Sequence, residues 1–395
     1  RDKLVTGVQT CALPISSTCR MSISRCYRRS WRYSRHIWVL VYSGITKRCD
    51  CSHLKKRKIL LKNNITNMKT YDESFLSQLP RITLCAYDTP VQRMLRLEEH
   101  TGIRNLYVKR DDLNGVGPGG NKVRALEYLF GEAKASGSDT IIVSGQENSN
   151  LCTITAAAAS RVGFKCAIVH NNRKPDTFKG NALLNEIMEA DRIFIGEKSE
   201  EERNDFVSEL AKRYRNEGKK PFVIKNGATT PRGAVGYSHI IYELLRNGAY
   251  PFTDIFVPGG NGGLAAGVIL GNFLCGNPYH IHVITVEHTL ENLHAILLCL
   301  LKEISSILGI KNNIYSINNI TIHDKYRGEG WGIPTSESVH MIYKLANLEG
   351  IFLEKVYTSK TLYGMIDLLA RNIVKAESSC FIHSGGFGAL FAQFE

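Results

Sequence analysis

At 395 residues the chain is long enough for two domains with sizeable cores. Its formal charge of +13 sits wholly at one end: residues 1–67 hold 15 of the 50 Lys+Arg and 2 of the 37 Asp+Glu, so the remainder carries 35 of each. A neutral body excludes nucleic acid and membrane surfaces as partners for the bulk of the chain, and no run after residue 67 reaches the ~18 apolar residues of a membrane helix.

The first 67 residues show no sustained helical or strand period. "LVTGVQTCALPIS" resembles the conceptual translation of a sequencing adaptor. Residues 1–15 are therefore read as non-biological, 16–67 as upstream sequence and Met68 as the start; a targeting peptide and a basic nucleic-acid arm are the functional alternatives. Six cysteines follow Met68, scattered and mostly in apolar runs. That is the pattern of reduced cysteines in a cytoplasmic protein, not of a disulfide framework.

From about residue 105 short apolar runs alternate with helical patterns. "NLYVKRDD" reads as a strand. "KVRALEYLFGEAKASG" reads as a helix with Val123, Leu126, Phe130 and Ala133 on one face and Gly137 as its stop. Strands follow in "DTIIVSG", "FKCAIVH", "DRIFIG", "PFVIKNG", "DIFVPGG", "HIHVITVEH" and "SSCFIHSGG". Helices fall between them, among them "LCTITAAAASRVG", "SEEERNDFVSELAKRYRNEG", "AVGYSHIIYELLRNG", "GGLAAGVILGNFLCG" and "TLYGMIDLLARN". The expected fold class is α/β: parallel sheets covered by helices, in two lobes with a ligand crevice between them.

Five stretches lie where such sheets bind ligands. In "GGNK", Lys122 stands at a helix start, where the positive end of the helix dipole disfavours a second charge; burial would add to that and favour a neutral amine suited to a Schiff base. An exposed surface lysine is the plain alternative. In "SGQENSNL", Ser149 and Asn150 sit at the N-terminus of the Ala-rich helix, as an anion site or as ordinary caps. In "PGGNGGLAAG" a glycine-rich turn can wrap a phosphate. Gly260, Gly262 and Ala265 also fit a loose dinucleotide pattern, with Glu287 closing the next strand. "EGIFLEKVYTSK" places Tyr357 and Thr358 in an irregular stretch, and "FIHSGGFGAL" places Ser384 between a strand and two glycines. A lysine for a Schiff base, a carboxylate-type helix terminus and a phosphate loop together meet the needs of pyridoxal phosphate acting on an amino acid.

The order "KRDDLNG", "GGNKVRALEYL", "SN", "TAAAA", "GAVGYSHIIYE", "GGNGGLAAG", "GEGWGIPT", "LEGIFLEKVYTSKTLYGMIDLL" and "FIHSGGFGALF" resembles the D-cysteine desulfhydrase / 1-aminocyclopropane-1-carboxylate deaminase family. These are fold-type-II pyridoxal-phosphate enzymes, similar to the tryptophan synthase β chain. The resemblance runs from about Leu79 to Phe391. It implies a catalytic region over 68–395, with a smaller lobe at about 118–235 inserted in the larger one, and a homodimer. It implies that Lys122 holds the cofactor, that Ser149 takes part in proton transfer, and that Asn150 contacts the cofactor's phenolic oxygen. Gly259, Gly260, Asn261, Gly262 and Gly263 would form the phosphate loop, Tyr357 would be an active-site tyrosine, and Ser384 would lie beneath the pyridine nitrogen.

A hydroxyl at that nitrogen leaves a weaker electron sink than a carboxylate does, and the deaminases carry a glutamate where this chain has Thr358. Both features point to α,β-elimination from a small, D-cysteine-like amino acid, giving pyruvate, ammonia and sulfide. Deamination of the cyclopropane amino acid is one alternative, and a pyridoxal-phosphate binder with impaired turnover is another. Three positions depart from the family. Leu151 stands where it has a histidine, Trp331 where it has a second tyrosine, and Leu264 where its phosphate loop has a threonine. Ser149, Asn150, Leu151 and Trp331 are the expected substrate contacts.

Overall fold

The computed structural model describes residues 74–86, 88–246, 252–312, 314 and 319–394. The readings made for residues 1–67 lie outside these.

After a single turn at Ser74–Ser77, the elements in chain order are β1 (Val91–Arg93), α1 (Leu95–Thr101), β2 (Leu106–Arg110), α2 (Lys122–Ala135), β3 (Thr140–Ser144), α3 (Asn150–Val162), β4 (Lys165–His170), α4 (Gly180–Ile187), β5 (Asp191–Phe194), α5 (Glu200–Asn216) and β6 (Pro221–Ile224). The chain continues with α6 (Pro231–Val235), α7 (His239–Arg246), β7 (Asp254–Gly259), α8 (Gly263–Leu274), β8 (His280–Thr285), α9 (Leu290–Leu308), β9 (Ile320–His323), α10 (Ser336–Glu349), α11 (Thr358–Ala370), β10 (Ser379–His383) and α12 (Phe387–Gln393).

Two sheets result. One has six strands in the order β1-β2-β10-β7-β8-β9, the other four in the order β5-β4-β3-β6. All pairings are parallel except β1 with β2 at the edge of the larger sheet. Strands buried end to end, such as β3, β7 and β10, explain why their sequences run apolar without alternation. Several elements carry no strong local signal: β1 is three residues long, β9 only half-buried, and α12 a short Gly- and Phe-rich segment.

Helix α2 departs from its amphipathic reading. Ten of its residues are buried, Arg124 and Glu127 among them. The cost of burying those charges is offset by partners. Arg124 donates to Asp111 at 2.7 Å and to Glu243 at 2.6 Å, and Lys109 from β2 reaches the same Glu243 at 2.5 Å. Glu127 pairs with Arg81 at 2.6 Å and accepts the backbone N–H groups of Leu84 and Cys85. These bonds tie α2 to β2, to α7 and to the segment before β1, and so set where the first residue of α2, Lys122, can stand.

Candidate active site

A cleft of about 610 Å³ opens beyond the C-terminal ends of the strands, the place where open α/β sheets present their loops to ligands. Its wall includes Lys122 after β2, Ser149, Asn150 and Leu151 after β3, Gly260 to Leu264 after β7, Glu287 after β8 and Ser384 after β10, with Trp331 and Tyr357 at one side. Gly259 is the exception among the predicted residues. It is the last residue of β7, and a Cβ there would lie 2.7 Å from Val283 and 2.8 Å from Leu293. It faces the core between sheet and helix, not the cleft.

Lys122 is half-buried and donates from Nζ to the Gly227 carbonyl at 2.8 Å. Burial lowers its pKa to about 8. The sequence suggested helix-dipole repulsion with burial added to it; burial is the cause behind this shift. The turn carrying Lys122 is fixed from β10: the Asn121 N–H donates to the Ser384 carbonyl at 2.9 Å. Gly385, at φ +105°, lies so close to that turn that a Cβ would stand 2.6 Å from the Gly120 Cα. A side chain at either position would push the lysine and serine turns apart.

Ser149 caps α3, its hydroxyl accepting the Cys152 N–H at 3.4 Å. The capping reading and the cleft reading are thus both met by one residue. Asn150 is held by a residue that sequence reasoning missed. The buried Asn181 of α4 donates from Nδ2 to Asn150 Oδ1 at 2.8 Å and to the Asn148 carbonyl at 2.9 Å. With its oxygen engaged in this way, Asn150 keeps its amide N–H groups for the cleft. Nothing in "KGNALL" marks Asn181 as more than a helix-start residue.

The glycine turn ends in α8, whose N-cap Gly262 has φ +84° and makes no side-chain cap bond. The first N–H groups of α8 therefore point uncapped toward the cleft, as an anion requires. The Thr229 hydroxyl stands 3.1 Å from where a Cβ on Gly263 would be and 3.0 Å from where one on Gly227 would be. Leu264, by contrast, is buried. The hydroxyl absent at 264 thus has a neighbour at 229 beside the same turn.

Tyr357 and Thr358 are less irregular than their sequence suggests: Tyr357 is the N-cap of α11 and Thr358 its first residue. Glu354, buried, accepts the N–H groups of Val356 at 2.8 Å and of Tyr357 and Thr358 at 2.7 Å each. The Thr358 hydroxyl also donates to Glu354, at 3.1 Å. Burial pushes the Tyr357 hydroxyl well above its ordinary range, so it stays protonated. Glu287 is also raised, chiefly by burial, with the charge of His288 opposing.

The family model described as pyridoxal-phosphate dependent enzyme matches residues 82–385. The chain belongs to the pyridoxal-phosphate dependent enzymes. Among its relatives, a protein named putative 1-aminocyclopropane-1-carboxylate deaminase from Pyrococcus horikoshii is 35% identical over 80% of this chain and 95% of its own length. A D-cysteine desulfhydrase from Yersinia enterocolitica is 31% identical over 80% of this chain and 97% of its own. A crystal structure of an ACC deaminase homologue superposes with a TM-score of 0.75 at 33% identity, over 82% of this chain and 97% of that one. The fold is the fold-type-II fold expected from the sequence, and the cofactor of this pyridoxal-phosphate enzyme is pyridoxal phosphate. A dinucleotide at the glycine turn, the competing reading of that motif, is set aside. No helix among the described residues is long and apolar enough to cross a membrane.

The residues present fit the cofactor. An uncapped helix start framed by glycines and Thr229 suits a phosphate. Lys122, enclosed and with a lowered pKa, suits an aldehyde, and its hydrogen-bond partner Gly227 packs on Asn261 of the same turn, 3.3 Å from the Asn261 side chain to a Cβ built at 227.

Proposed function

We propose that this pyridoxal-phosphate lyase removes the β-substituent of a small, D-cysteine-like amino acid, releasing an enamine that water converts to pyruvate and ammonia, with sulfide as the third product from cysteine. The observation that carries this reading is the pairing of an enclosed, partly neutral amine at Lys122 with a protonated hydroxyl at Tyr357 across one cleft. Lys122 is the proposed attachment residue, the N–H groups at the start of α8 the phosphate contacts, and the Asn150 amide the donor to the phenolic oxygen. Ser384 is proposed to lie at the pyridine nitrogen. When bound, pyridoxal phosphate supplies the electron sink that makes an amino acid's α-proton removable.

The chain's own part is proton handling and positioning. Lys122, or Ser149 through its hydroxyl, takes the α-proton; with its pKa lowered to about 8 the lysine has an appreciable neutral fraction at neutral pH. The first turn of α3 faces the substrate carboxylate, with Leu151 making that wall apolar where relatives of this family are expected to carry histidine. Tyr357 gives its proton to the departing group.

Elimination is favoured over opening of a cyclopropane ring by two features of the site. No carboxylate follows Tyr357, and Thr358, which takes that position, spends its hydroxyl on Glu354. Ser384, a hydroxyl residue and not a carboxylate, lines the cleft wall.

Product release from a panel of D- and L-amino acids and 1-aminocyclopropane-1-carboxylate tests this. Pyruvate from a cysteine-like substrate is expected; 2-oxobutyrate from the cyclopropane amino acid alone would transfer the assignment to the deaminases. No product from any of them would mark a cofactor-binding protein without turnover. For Ser149→Ala, α-proton exchange of the bound substrate with solvent should slow by about 10²-fold, the lower range for one proton-transfer group, while visible cofactor absorbance is retained. Unchanged exchange would remove Ser149 from proton transfer.

A further inference from the structure

Tyr357 is held from two sides by one helix. Its backbone N–H is fixed by Glu354 at the start of α11. Its hydroxyl accepts a hydrogen bond from the Trp331 indole Nε1–H at 2.7 Å. The loop that carries Trp331 is anchored to the same α11: Lys360, buried, donates from Nζ to the carbonyls of Arg327 at 2.7 Å and Gly330 at 2.8 Å, and the Tyr326 hydroxyl donates to Asp367 at 2.8 Å. Trp331 itself is 41% exposed. Its ring is not there to fill the core; what it contributes to the cleft is its N–H.

An indole N–H can only donate. A tyrosine in its place could donate or accept and would leave the direction of the Tyr357 proton open. With Trp331 present the Tyr357 oxygen is occupied as an acceptor, and no described residue accepts the hydroxyl's own hydrogen. That hydrogen is left to the cleft.

We infer that Trp331 is a positioning residue whose indole N–H commits the Tyr357 proton to the leaving group of the substrate. This rests on the reading of Tyr357 as the proton donor in elimination, and deepens it. In the step concerned, the α-C–H bond breaks and its proton passes to the chain's base. The Cβ–X bond breaks, and X departs with the electron pair and takes the proton from Tyr357. The phenolate left behind keeps the Trp331 N–H as a charge-assisted bond and regains its proton from water. The specificity consequence is that the enzyme accepts amino acids whose β-substituent leaves only when protonated, such as a hydroxyl, as well as those that leave unaided, such as chloride.

The test compares Trp331→Phe and Tyr357→Phe with the unaltered holoenzyme on serine and on β-chloroalanine, each in the enantiomer turned over. Tyr357→Phe should slow serine elimination by about 100-fold and chloride elimination far less. Trp331→Phe should slow serine elimination about tenfold more than it slows chloride elimination, the scale of one hydrogen bond to a charged group. If Tyr357→Phe slows both substrates equally, the donor role of Tyr357 fails. If Tyr357→Phe discriminates but Trp331→Phe does not, this inference alone fails. A readout independent of turnover uses the cofactor-free chain with Trp31 and Trp38 changed to Phe, which leaves Trp331 as its one tryptophan. Adding Tyr357→Phe should shift Trp331 emission, because the indole loses its acceptor. Unchanged emission would show that the bond is not made in solution, and would overturn the inference.

Discussion

Replacing Lys122 by alanine is expected to abolish covalent retention of pyridoxal phosphate and to lower turnover by at least about 10³-fold, within the range of proton-transfer groups alone. The loss should be visible as missing cofactor absorbance after desalting and as missing product. The expectation follows from position: the amine is enclosed in the cleft, bonded to the Gly227 carbonyl at 2.8 Å, and the turn that bears it is tied to Ser384. Lys122→Arg should do no better, because a guanidinium stays charged at any working pH.

The pH dependence separates this lysine from an exposed one. Its folded-state pKa is lowered from 10.5 to about 8 by burial. Cofactor capture by the cofactor-free protein, which needs the neutral amine, should therefore rise with a midpoint near pH 8 and not near 10.5. The sign for stability is the same. Between about pH 8 and 10.5 the unfolded chain binds the proton that the folded chain has lost, so the cofactor-free protein should gain stability across that window as pH rises. Lys122→Met should flatten that gain in denaturant titrations.

The second large effect lies below the cleft. Arg124→Ala should destabilise the cofactor-free protein by about 3–5 kcal/mol, the cost of leaving buried partners uncompensated, read as a lower denaturant midpoint. Arg124 is buried and bonded to Asp111 at 2.7 Å and 2.8 Å and to Glu243 at 2.6 Å and 2.9 Å. Its loss leaves two carboxylates with Lys109 as the remaining cation. Burial alone would raise Glu243; Arg124 and Lys109 reverse that and lower it to about 2. The stabilisation this group gives is complete above its ordinary value of 4.5 and is lost as pH falls toward 2. Arg124→Ala should shrink that acid limb. Because Arg124 stands two residues from Lys122 on α2, the variant should also weaken cofactor binding; unaltered affinity would show that the ion network holds the fold without setting the lysine.

The parts legible in the sequence are those whose signal is local. Glycines at 260, 262 and 263, the Ser149 cap and the Val- and Ile-rich strands announce themselves within a few residues, because turn geometry, capping and burial act at that range. The parts not legible depend on chain crossings. Asn181 orients Asn150 from 31 residues away, and Arg124 meets Glu243 across 119; neither spacing has a sequence signature. Gly259 resembled its glycine neighbours but ends a strand facing the core, a distinction that only the position of Val283 and Leu293 makes. Helix α2 looked amphipathic, yet ten of its residues are buried, and two of its charges, Arg124 and Glu127, are paired internally.

The measurement that bears most directly on the chemistry is reduction of the cofactor-loaded protein with borohydride, followed by proteolysis and mass spectrometry. A pyridoxyl phosphate group on Lys122 and on no other lysine is the predicted result. A label on a different lysine, or none in protein that has bound the cofactor, would contradict it.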